Sequence, residues 1–317
     1  MIKKKNILVT GGAGNIGSAL VEALIRSDKY CVVIMDNLLT GSLKKLPVGH
    51  KENWEFVKGD VNEYRDIAEV MLARRFDYVF HYAAVVGVQR TQDNPISVLN
   101  DIQGIKNILD LSKNTSVKRV LFSSSSEVYG EPVHIPQNEH DTPLNSRVPY
   151  AVVKNVGESF LKSYYQEYGL EFTIFRFFNT YGPNQTSDFV ITRFLTAALK
   201  NEPITIYGDG NQTRTFCYID DNVETVINCF EKNLFVNEIL NVGSEKVVTI
   251  LELASIIIEL TGSKSKITFL PPLPEGDMKR RQPDNSKMKK ILNRELLDLK
   301  EGVIKMLAQQ EMILYHG

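Results

Sequence analysis

Asn6-Ile7-Leu8-Val9-Thr10 is an apolar run that ends abruptly at Gly11-Gly12-Ala13-Gly14-Asn15-Ile16-Gly17, and it constrains the fold more than any other stretch. Around and beyond the last of these glycines, Ile16, Ala19, Leu20, Ala23 and Leu24 recur at helical spacing. A second apolar run, Tyr30-Cys31-Val32-Val33-Ile34-Met35, ends at Asp36. Strand, glycine turn, helix, strand and acid follow in the order that binding a dinucleotide requires. Gly11 permits the tight turn, Gly14 lets the backbone approach a pyrophosphate, and Gly17 lets the helix pack close to the sheet. The pyrophosphate is expected on the amides of the helix N-terminus, at Asn15 and Ile16. Asp36 suits the adenosine ribose hydroxyls, and its charge repels a 2′-phosphate, so the expected cofactor is NAD rather than NADP. The spacing is G-x-x-G-x-x-G, one residue away from the commonest fingerprint, and an ordinary strand–helix turn is the bland alternative. The strand, the helix and the acid at their proper places argue against it.

The 317 residues can bury a large core, as one α/β unit or as two domains. Basic residues number 37 and acidic residues 38, so nothing in the balance calls for nucleic acid or an anionic membrane. Three cysteines, Cys31, Cys217 and Cys229, lack metal-ligand spacing and suit a reduced compartment. The five histidines form no paired motif, so no metal is expected. Met1-Ile2-Lys3-Lys4-Lys5 resembles the start of a signal peptide, but the following apolar run is short and meets the glycine turn at once. No segment approaches the ~20 apolar residues that span a bilayer. A soluble, cytoplasmic protein is expected.

Strand-like and helix-like segments alternate through the first half. Trp54-Glu55-Phe56-Val57 leads to Lys58-Gly59-Asp60-Val61, and Tyr78-Val79-Phe80-His81 leads to Tyr82-Ala83-Ala84. Arg119-Val120-Leu121-Phe122 leads to four serines, 123–126, and the run 172–177 leads to Phe178-Asn179. Apolar runs ending in small or polar residues mark the carboxyl edge of a parallel sheet, where ligands of open α/β sheets bind. Asp60 is placed for the adenine amine, although an acid there can also simply cap a turn. Beyond Thr180 the alternation fades. Residues 191–200 read as a helix, Ile204-Thr205-Ile206-Tyr207 as a strand, and Thr249-Ile250-Leu251-Glu252 as a capping box opening a helix. Residues 264–277, rich in proline and charge, read as a loop over the site. The expected fold is α/β: a Rossmann-type doubly wound parallel sheet over 1–180, then a smaller mixed α/β substrate domain over 181–317. A strand near 215–219 and the helix after it, within 213–240, are expected to return to the first sheet.

Tyr150 and Lys154 lie four apart, so both face one side of a helix that begins at Tyr150. A phenol with a reference pKa of about 10 is a poor base at neutral pH. A nearby ammonium and a positive nicotinamide ring both favour the phenolate. Such a tyrosine can take a proton from a sugar hydroxyl while the carbon beneath gives up hydride. A solvated helix face is the bland alternative for one Y-x-x-x-K match. The serine run Ser123-Ser124-Ser125-Ser126 before it, at the end of a strand in a dinucleotide-binding sheet, makes chance less probable. Ser125 is placed to hydrogen-bond the reacting hydroxyl and share its proton with Tyr150, whereas Ser123 and Ser124 taken singly read as a polar turn. Glu127 suggests an additional proton transfer, because C4 inversion needs only a hydride taken and returned.

Taken together, these residues resemble an extended short-chain dehydrogenase/reductase of the NAD-dependent sugar-nucleotide epimerase/dehydratase family. The resemblance runs through residues 11–17, Asp36-Asn37, Asp60-Val61, Ala83-Ala84, Ser125, Tyr150 with Lys154, and 177–183. It continues through 206–210, Gln212-Thr213-Arg214 and Arg280-Arg281-Gln282-Pro283-Asp284. It implies that NAD stays bound, held by Gly11, Gly14, Asn15, Ile16, Gly17, Asp36, Asn37, Asp60, Val61, Ala83, Ala84, Tyr150 and Lys154. It further implies that C4 of a nucleotide-diphosphate sugar is oxidised to a transient ketone, with Ser125, Ser126, Glu127, Tyr150 and Lys154 as the catalytic set. Asn179, Arg214 and Arg281 match positions that contact the diphosphate, and Tyr207 lies in the segment that packs on the base. Arginine forks bind phosphate oxygens in pairs; an ordinary surface arginine is the alternative for Arg280. Members commonly form homodimers through helices beside the active site, which the resemblance carries over.

The product is less constrained. Ser125-Ser126-Glu127-Val128-Tyr129-Gly130 resembles the Thr-Ser-Glu version of UDP-glucuronate decarboxylases and GDP-mannose 4,6-dehydratases, as does the stretch from Gly208 to Asp284 of decarboxylases. Val86-Gly87-Val88-Gln89-Arg90 lacks the Pro-Ala-Ser-Pro stretch of decarboxylases and is closer to epimerases. Asp101, three residues before Gly104, stands where the family usually has asparagine. The order of expectation is a 4-epimerase, then a 4,6-dehydratase or decarboxylase, then a dehydrogenase that releases the keto sugar. A catalytically dead NAD-binding sensor is disfavoured by the presence of Tyr150, Lys154 and Ser125. A plain alcohol dehydrogenase would leave Arg214 and Arg281 without a task.

Overall fold

A computed structural model describes residues 4–272 and 280–316, apart from the side chains at 88, 89 and 310–316. In chain order the elements begin with β1 (Lys5–Thr10), α1 (Asn15–Ile25), β2 (Tyr30–Asp36), β3 (Trp54–Lys58) and α2 (Tyr64–Ala73). They continue with β4 (Tyr78–His81), α3 (Val88–Asp93), α4 (Pro95–Asn114), β5 (Arg119–Ser125), α5 (Pro149–Tyr168) and β6 (Glu171–Phe177). Next come β7 (Thr180–Tyr181), α6 (Val190–Leu199), β8 (Ile204–Tyr207), β9 (Thr213–Thr215), β10 (Cys217–Tyr218), α7 (Ile219–Glu231) and β11 (Glu238–Val242). The last are β12 (Val247–Thr249), α8 (Ile250–Thr261), β13 (Ile267–Leu270), α9 (Ser286–Leu292) and α10 (Leu299–His316). Two compact units share them: the first holds Met1–Val128, Ser146–Phe177 and Val223–Leu240, the second the remainder.

The seven-stranded sheet runs in the order β11-β6-β5-β4-β1-β2-β3. β1 pairs in parallel with both β2 and β4, and the β2–β3, β4–β5 and β5–β6 ladders are parallel too. This is the Rossmann-type α/β fold. Sequence order reverses at β1, so the connections that leave β1 and β4 run in opposite directions, which makes their carboxyl ends the topological switch point of a doubly wound sheet. Ile7, Leu8, Val9, Val79, Phe80 and Leu121 are completely shielded from solvent. Strands covered by helices on both faces need unbroken apolar runs rather than alternation. Pro149 opens α5 at a position where a missing N–H costs nothing, and Gly169 closes it in the left-handed region, its N–H donating to the Tyr165 carbonyl.

Several boundaries differ from the sequence expectation. Cys217–Tyr218 pairs with β7 and Thr213–Thr215 with β12, so neither strand joins the large sheet. The strand that does is β11, whose apolar Ile239-Leu240-Asn241-Val242 is a short run easily passed over. It is anchored where the Asn237 N–H donates to the Phe172 carbonyl at 2.7 Å. Tyr129–Asn145, expected in the first domain, belongs to the second unit. Its Gln137 exchanges backbone hydrogen bonds with Gln282 and Asp284 and accepts another from the Asn241 amide. Residues 264–277 are not simply a loop, because Ile267–Leu270 forms a parallel strand with β8. The proline and charge that suggest a loop concentrate at 271–277, whereas 267–270 is a β-branched and aromatic run. Positions 273–277 lie outside the described residues. The capping box at Thr249 and Glu252 forms as expected, with both reciprocal hydrogen bonds present.

Candidate active site

In the first unit the glycine turn joins β1 to α1. Gly11 adopts φ +69°, and a Cβ there would meet the Ala83 amide at 2.6 Å. A Cβ at Gly17 would strike the backbone of Gly11 and Gly12, so the third glycine is what lets α1 start this close to the turn. Gly14 is the N-cap of α1, with no capping side chain and no acid in the first turn. That leaves a helix end whose dipole and amides suit an anion. The Oδ1 atom of Asn15 is buried with no hydrogen-bond partner.

Asp36 ends β2 and is almost fully buried. Its carboxylate accepts from the Ala13 N–H at 3.0 Å and the Leu38 N–H at 2.8 Å. A carboxylate has about four acceptor positions, so these two bonds leave capacity for ribose hydroxyls. Burial pulls the Lys45 ammonium below its ordinary pKa, and attraction to Asp36 opposes the fall. Asn37 donates to Asp60 at 2.9 Å, and the other Asp60 oxygen accepts from the Asn62 N–H, also at 2.9 Å. Val61 is buried in the core beside them, with Ala83 packed against the same cluster. The Ala83 N–H donates to the Thr10 hydroxyl at 3.3 Å. Apart from Tyr150 and Lys154 on α5, the residues expected to hold a dinucleotide therefore stand along the carboxyl edge of β1, β2, β3 and β4. Their donors and acceptors fit NAD.

The residues expected to be catalytic gather on β5 and α5 of the same unit. Tyr150 stands in the first turn of α5 and Lys154 one turn on. The Lys154 ammonium lies 5.6 Å from the centre of the Tyr150 ring and 5.0 Å from that of Phe122. It donates to the Ser123 hydroxyl at 3.5 Å. Burial brings its pKa down to about 8, against the pull of Asp101. Ser125 closes β5 and accepts from the Glu127 N–H at 3.2 Å, which ties the strand end to the following single-turn helix. The Ser126 hydroxyl is buried and has no partner.

Other groups here escape a reading by motif. His81 ends β4, with Nδ1 2.8 Å from the Thr10 hydroxyl. Burial, then repulsion by Lys154, pushes it down to about 3, so it is neutral. Ser123 does more than form a polar turn, since it receives Lys154 and donates to the His81 carbonyl at 3.4 Å. Ser124 donates to Glu158 at 2.6 Å, and Glu158 receives Arg176 in a two-pronged ion pair of 2.9 and 2.6 Å. Glu158 continues the four-residue spacing of Tyr150 and Lys154, and that spacing was the available signal.

In the second unit Asn179 takes φ +37° and donates to the Thr215 carbonyl at 2.9 Å, which sets it beside β9 and Arg214. Arg214 is buried, and its Nη1 donates to the Thr213 carbonyl. Tyr207 ends β8 with the Arg193 guanidinium 5.4 Å from its ring centre, and its carbonyl accepts from the Gln212 amide. Arg281 is buried on the segment that pairs with Gln137, whereas Arg280 is exposed and meets Glu131 at 3.8 Å. Among the described residues no three metal-ligating side chains gather, and no helix is long and apolar enough to cross a membrane.

A sequence profile of the NAD dependent epimerase/dehydratase family matches residues 7–243. The chain belongs to that family. It is an enzyme, and its cofactor is NAD. The UDP-glucuronic acid decarboxylase 1 of Danio rerio is 35% identical, over 99% of this chain and 74% of the relative. The solved UDP-glucose 4-epimerase of Thermotoga maritima, with UDP-glucose, is 32% identical, covers 98% of this chain and 99% of that one, and superposes with a TM-score of 0.91. The UDP-glucuronic acid 4-epimerase of Bacillus cereus, solved with UDP-glucuronic acid and NAD, is 29% identical over 97% and 99%, with a TM-score of 0.87.

Proposed function

We propose that this chain is a sugar-nucleotide 4-epimerase acting on a nucleotide-diphosphate sugar, with a 4-keto sugar as intermediate. The observation that carries the reading is the buried Lys154 ammonium beside the Tyr150 ring, with Ser125 at the neighbouring strand end, in the unit that holds the dinucleotide turn. NAD when bound supplies the hydride acceptor at C4 and, once reduced, the donor. Tyr150 takes the proton of the C4 hydroxyl and returns it after reduction. Ser125 hydrogen-bonds the same oxygen, and Lys154 stabilises the phenolate by its charge. Asn179, Arg214 and Arg281 hold the diphosphate, and Tyr207 packs on the base. Two copies pair through α4 and α5, which leave Ile96, Leu99, Tyr165 and Tyr168 exposed in the single chain; light scattering that gives the mass of one chain overturns this pairing. The three cysteines are unpaired, which fits work in the cytoplasm.

The deciding experiment offers UDP-, GDP-, dTDP- and CDP-sugars to the purified protein and follows mass, retention and absorbance. A product of unchanged mass and altered retention supports the epimerase. Loss of two hydrogens with accumulating NADH means a dehydrogenase, and no turnover with any of them overturns the reading.

Glu127 favours a second reading, a decarboxylase or 4,6-dehydratase, because epimerisation needs no carboxylate there. Loss of carbon dioxide or water in the same assay supports it. Glu127→Gln separates the two. In a 4-epimerase turnover stays within about threefold of wild type, whereas a step that uses the carboxylate for proton transfer falls by about a hundredfold or more.

Asp36 is proposed to bind the adenosine ribose and reject NADP. Asp36→Asn keeps an oxygen for only one of the Ala13 and Leu38 amides, which use different carboxylate oxygens, and removes the charge, with Lys45 still nearby to favour a phosphate. The ratio of NAD to NADP affinity, measured by calorimetry on cofactor-stripped protein, is expected to fall by about tenfold or more. An unaltered ratio counts against the ribose contact.

A further inference from the structure

Lys154 is 2% exposed, and an ammonium that deeply buried is costly unless an opposite charge is at hand. Its own helix brings Tyr150, and Glu158 one turn on, the latter committed to Arg176 and Ser124. β5 brings the Phe122 ring and the Ser123 hydroxyl, and β4 brings a neutral His81. α4 brings Asp101.

Asp101 is buried and tightly held. Its Oδ2 accepts from the Val85 N–H at 2.7 Å, and its Oδ1 accepts from the Asn62 amide at 3.2 Å. Asn62 is fixed in turn by its own N–H to Asp60, and the missing side chain of Gly104 leaves it room. One turn beyond Asp101, Ile105 sits against Gly157, itself three residues beyond Lys154, so Asp101 and Lys154 stand at matching levels of the two packed helices. Burial raises the Asp101 carboxyl above its ordinary range, Asp60 adds to the rise, and the two hydrogen bonds and Lys154 oppose it.

We infer that Asp101 is a positioning residue, whose carboxylate is the counter-charge that keeps the buried Lys154 ammonium protonated through the working pH range. An amide at this place could accept the same Val85 hydrogen bond but could not attract the ammonium. The catalytic meaning of this rests on the role of Lys154 proposed above.

The test is Asp101→Asn in the NAD-loaded protein, with the Lys154 side chain followed by NMR of labelled lysine and assigned by its absence in Lys154→Arg. Wild type should titrate below a free lysine, because burial disfavours the charged form. Removing an opposite charge should lower the midpoint by about one unit, and the alkaline limb of kcat should move down with it. Asp101→Ser, a second neutral variant, should show the same fall and covers the case in which the first does not fold. Overturning results are a midpoint that stays at the wild-type value in a variant with normal NAD content and circular dichroism, or a rise. If the midpoint falls while the kcat profile stays fixed, Asp101 keeps its assignment and the catalytic role of Lys154 is refuted instead.

Discussion

Tyr150→Phe should cut turnover of the sugar nucleotide by about a thousandfold while leaving NAD bound. The substitution is narrow by design. The Tyr150 ring packs against the main core cluster, and phenylalanine keeps that packing and the proximity of the ring to Lys154. Only the phenolic oxygen goes, and with it the proposed route for the C4 proton. Substrate affinity should be nearly unchanged, because the diphosphate is assigned to Asn179, Arg214 and Arg281. Steady-state kinetics beside cofactor content read from absorbance make the measurement. Turnover within tenfold of wild type, with NAD retained, removes Tyr150 from the chemistry. Loss of NAD together with turnover would instead mean that the residue serves mainly to hold the cofactor.

Arg176→Leu is expected to cost about 3–5 kcal/mol of folding stability. Arg176 and Glu158 are 2% and 1% exposed, and each prong of the guanidinium reaches its own carboxylate oxygen. Without the arginine, Glu158 would be left buried with the Ser124 hydroxyl as its remaining described donor, and an uncompensated buried charge is far costlier than the pair is beneficial. The double variant Glu158→Leu with Arg176→Leu should therefore recover most of the loss, since apolar groups of similar volume often replace a buried ion pair at little cost. Denaturant midpoints at constant slope give both numbers. A single-variant loss below about 1 kcal/mol would show that the pair is not a structural clamp. Tyr150, Lys154 and Glu158 recur every four residues along α5, so the clamp also fixes which face of that helix meets β5 and β6.

What was legible in the sequence follows from how far apart the interacting residues stand. The turn at 11–17, the end of β2 at Asp36, the capping box at Thr249 and the pairing of Tyr150 with Lys154 are each written within a few residues, and periodicity exposes them. β11 and β13 are four or five residues long and acquire meaning only through partners far away, Phe172 for the anchor of one and Ile204–Tyr207 for the other. The same holds for the surroundings of Lys154. His81, Asp101 and Ser123 lie 73, 53 and 31 positions earlier in the chain, by the difference of their numbers, and no local pattern links them to it. Asp101 could be noticed as an unusual residue; its relation to an ammonium required the packing of α4 on α5. Tyr129–Asn145 shows the same limit, because a segment without apolar periodicity declares its allegiance through distant partners, such as those of Gln137, Glu139 and Tyr129.

The alternation of the chain between its two units has a consequence for how the protein is made. The first unit draws on three separate stretches, and the last of them, Val223–Leu240, supplies the start of β11 at the rim of the sheet. During translation, β6 is therefore synthesised more than sixty residues before its outer neighbour, the distance from Phe177 to Glu238. Throughout that interval the nascent sheet carries an unpaired strand edge, the kind of surface on which chains aggregate or recruit chaperones. A ribosome-bound fragment ending near residue 180 would hold the whole dinucleotide turn and still be an unfinished sheet. Cutting the gene there would strand β6 in the same condition.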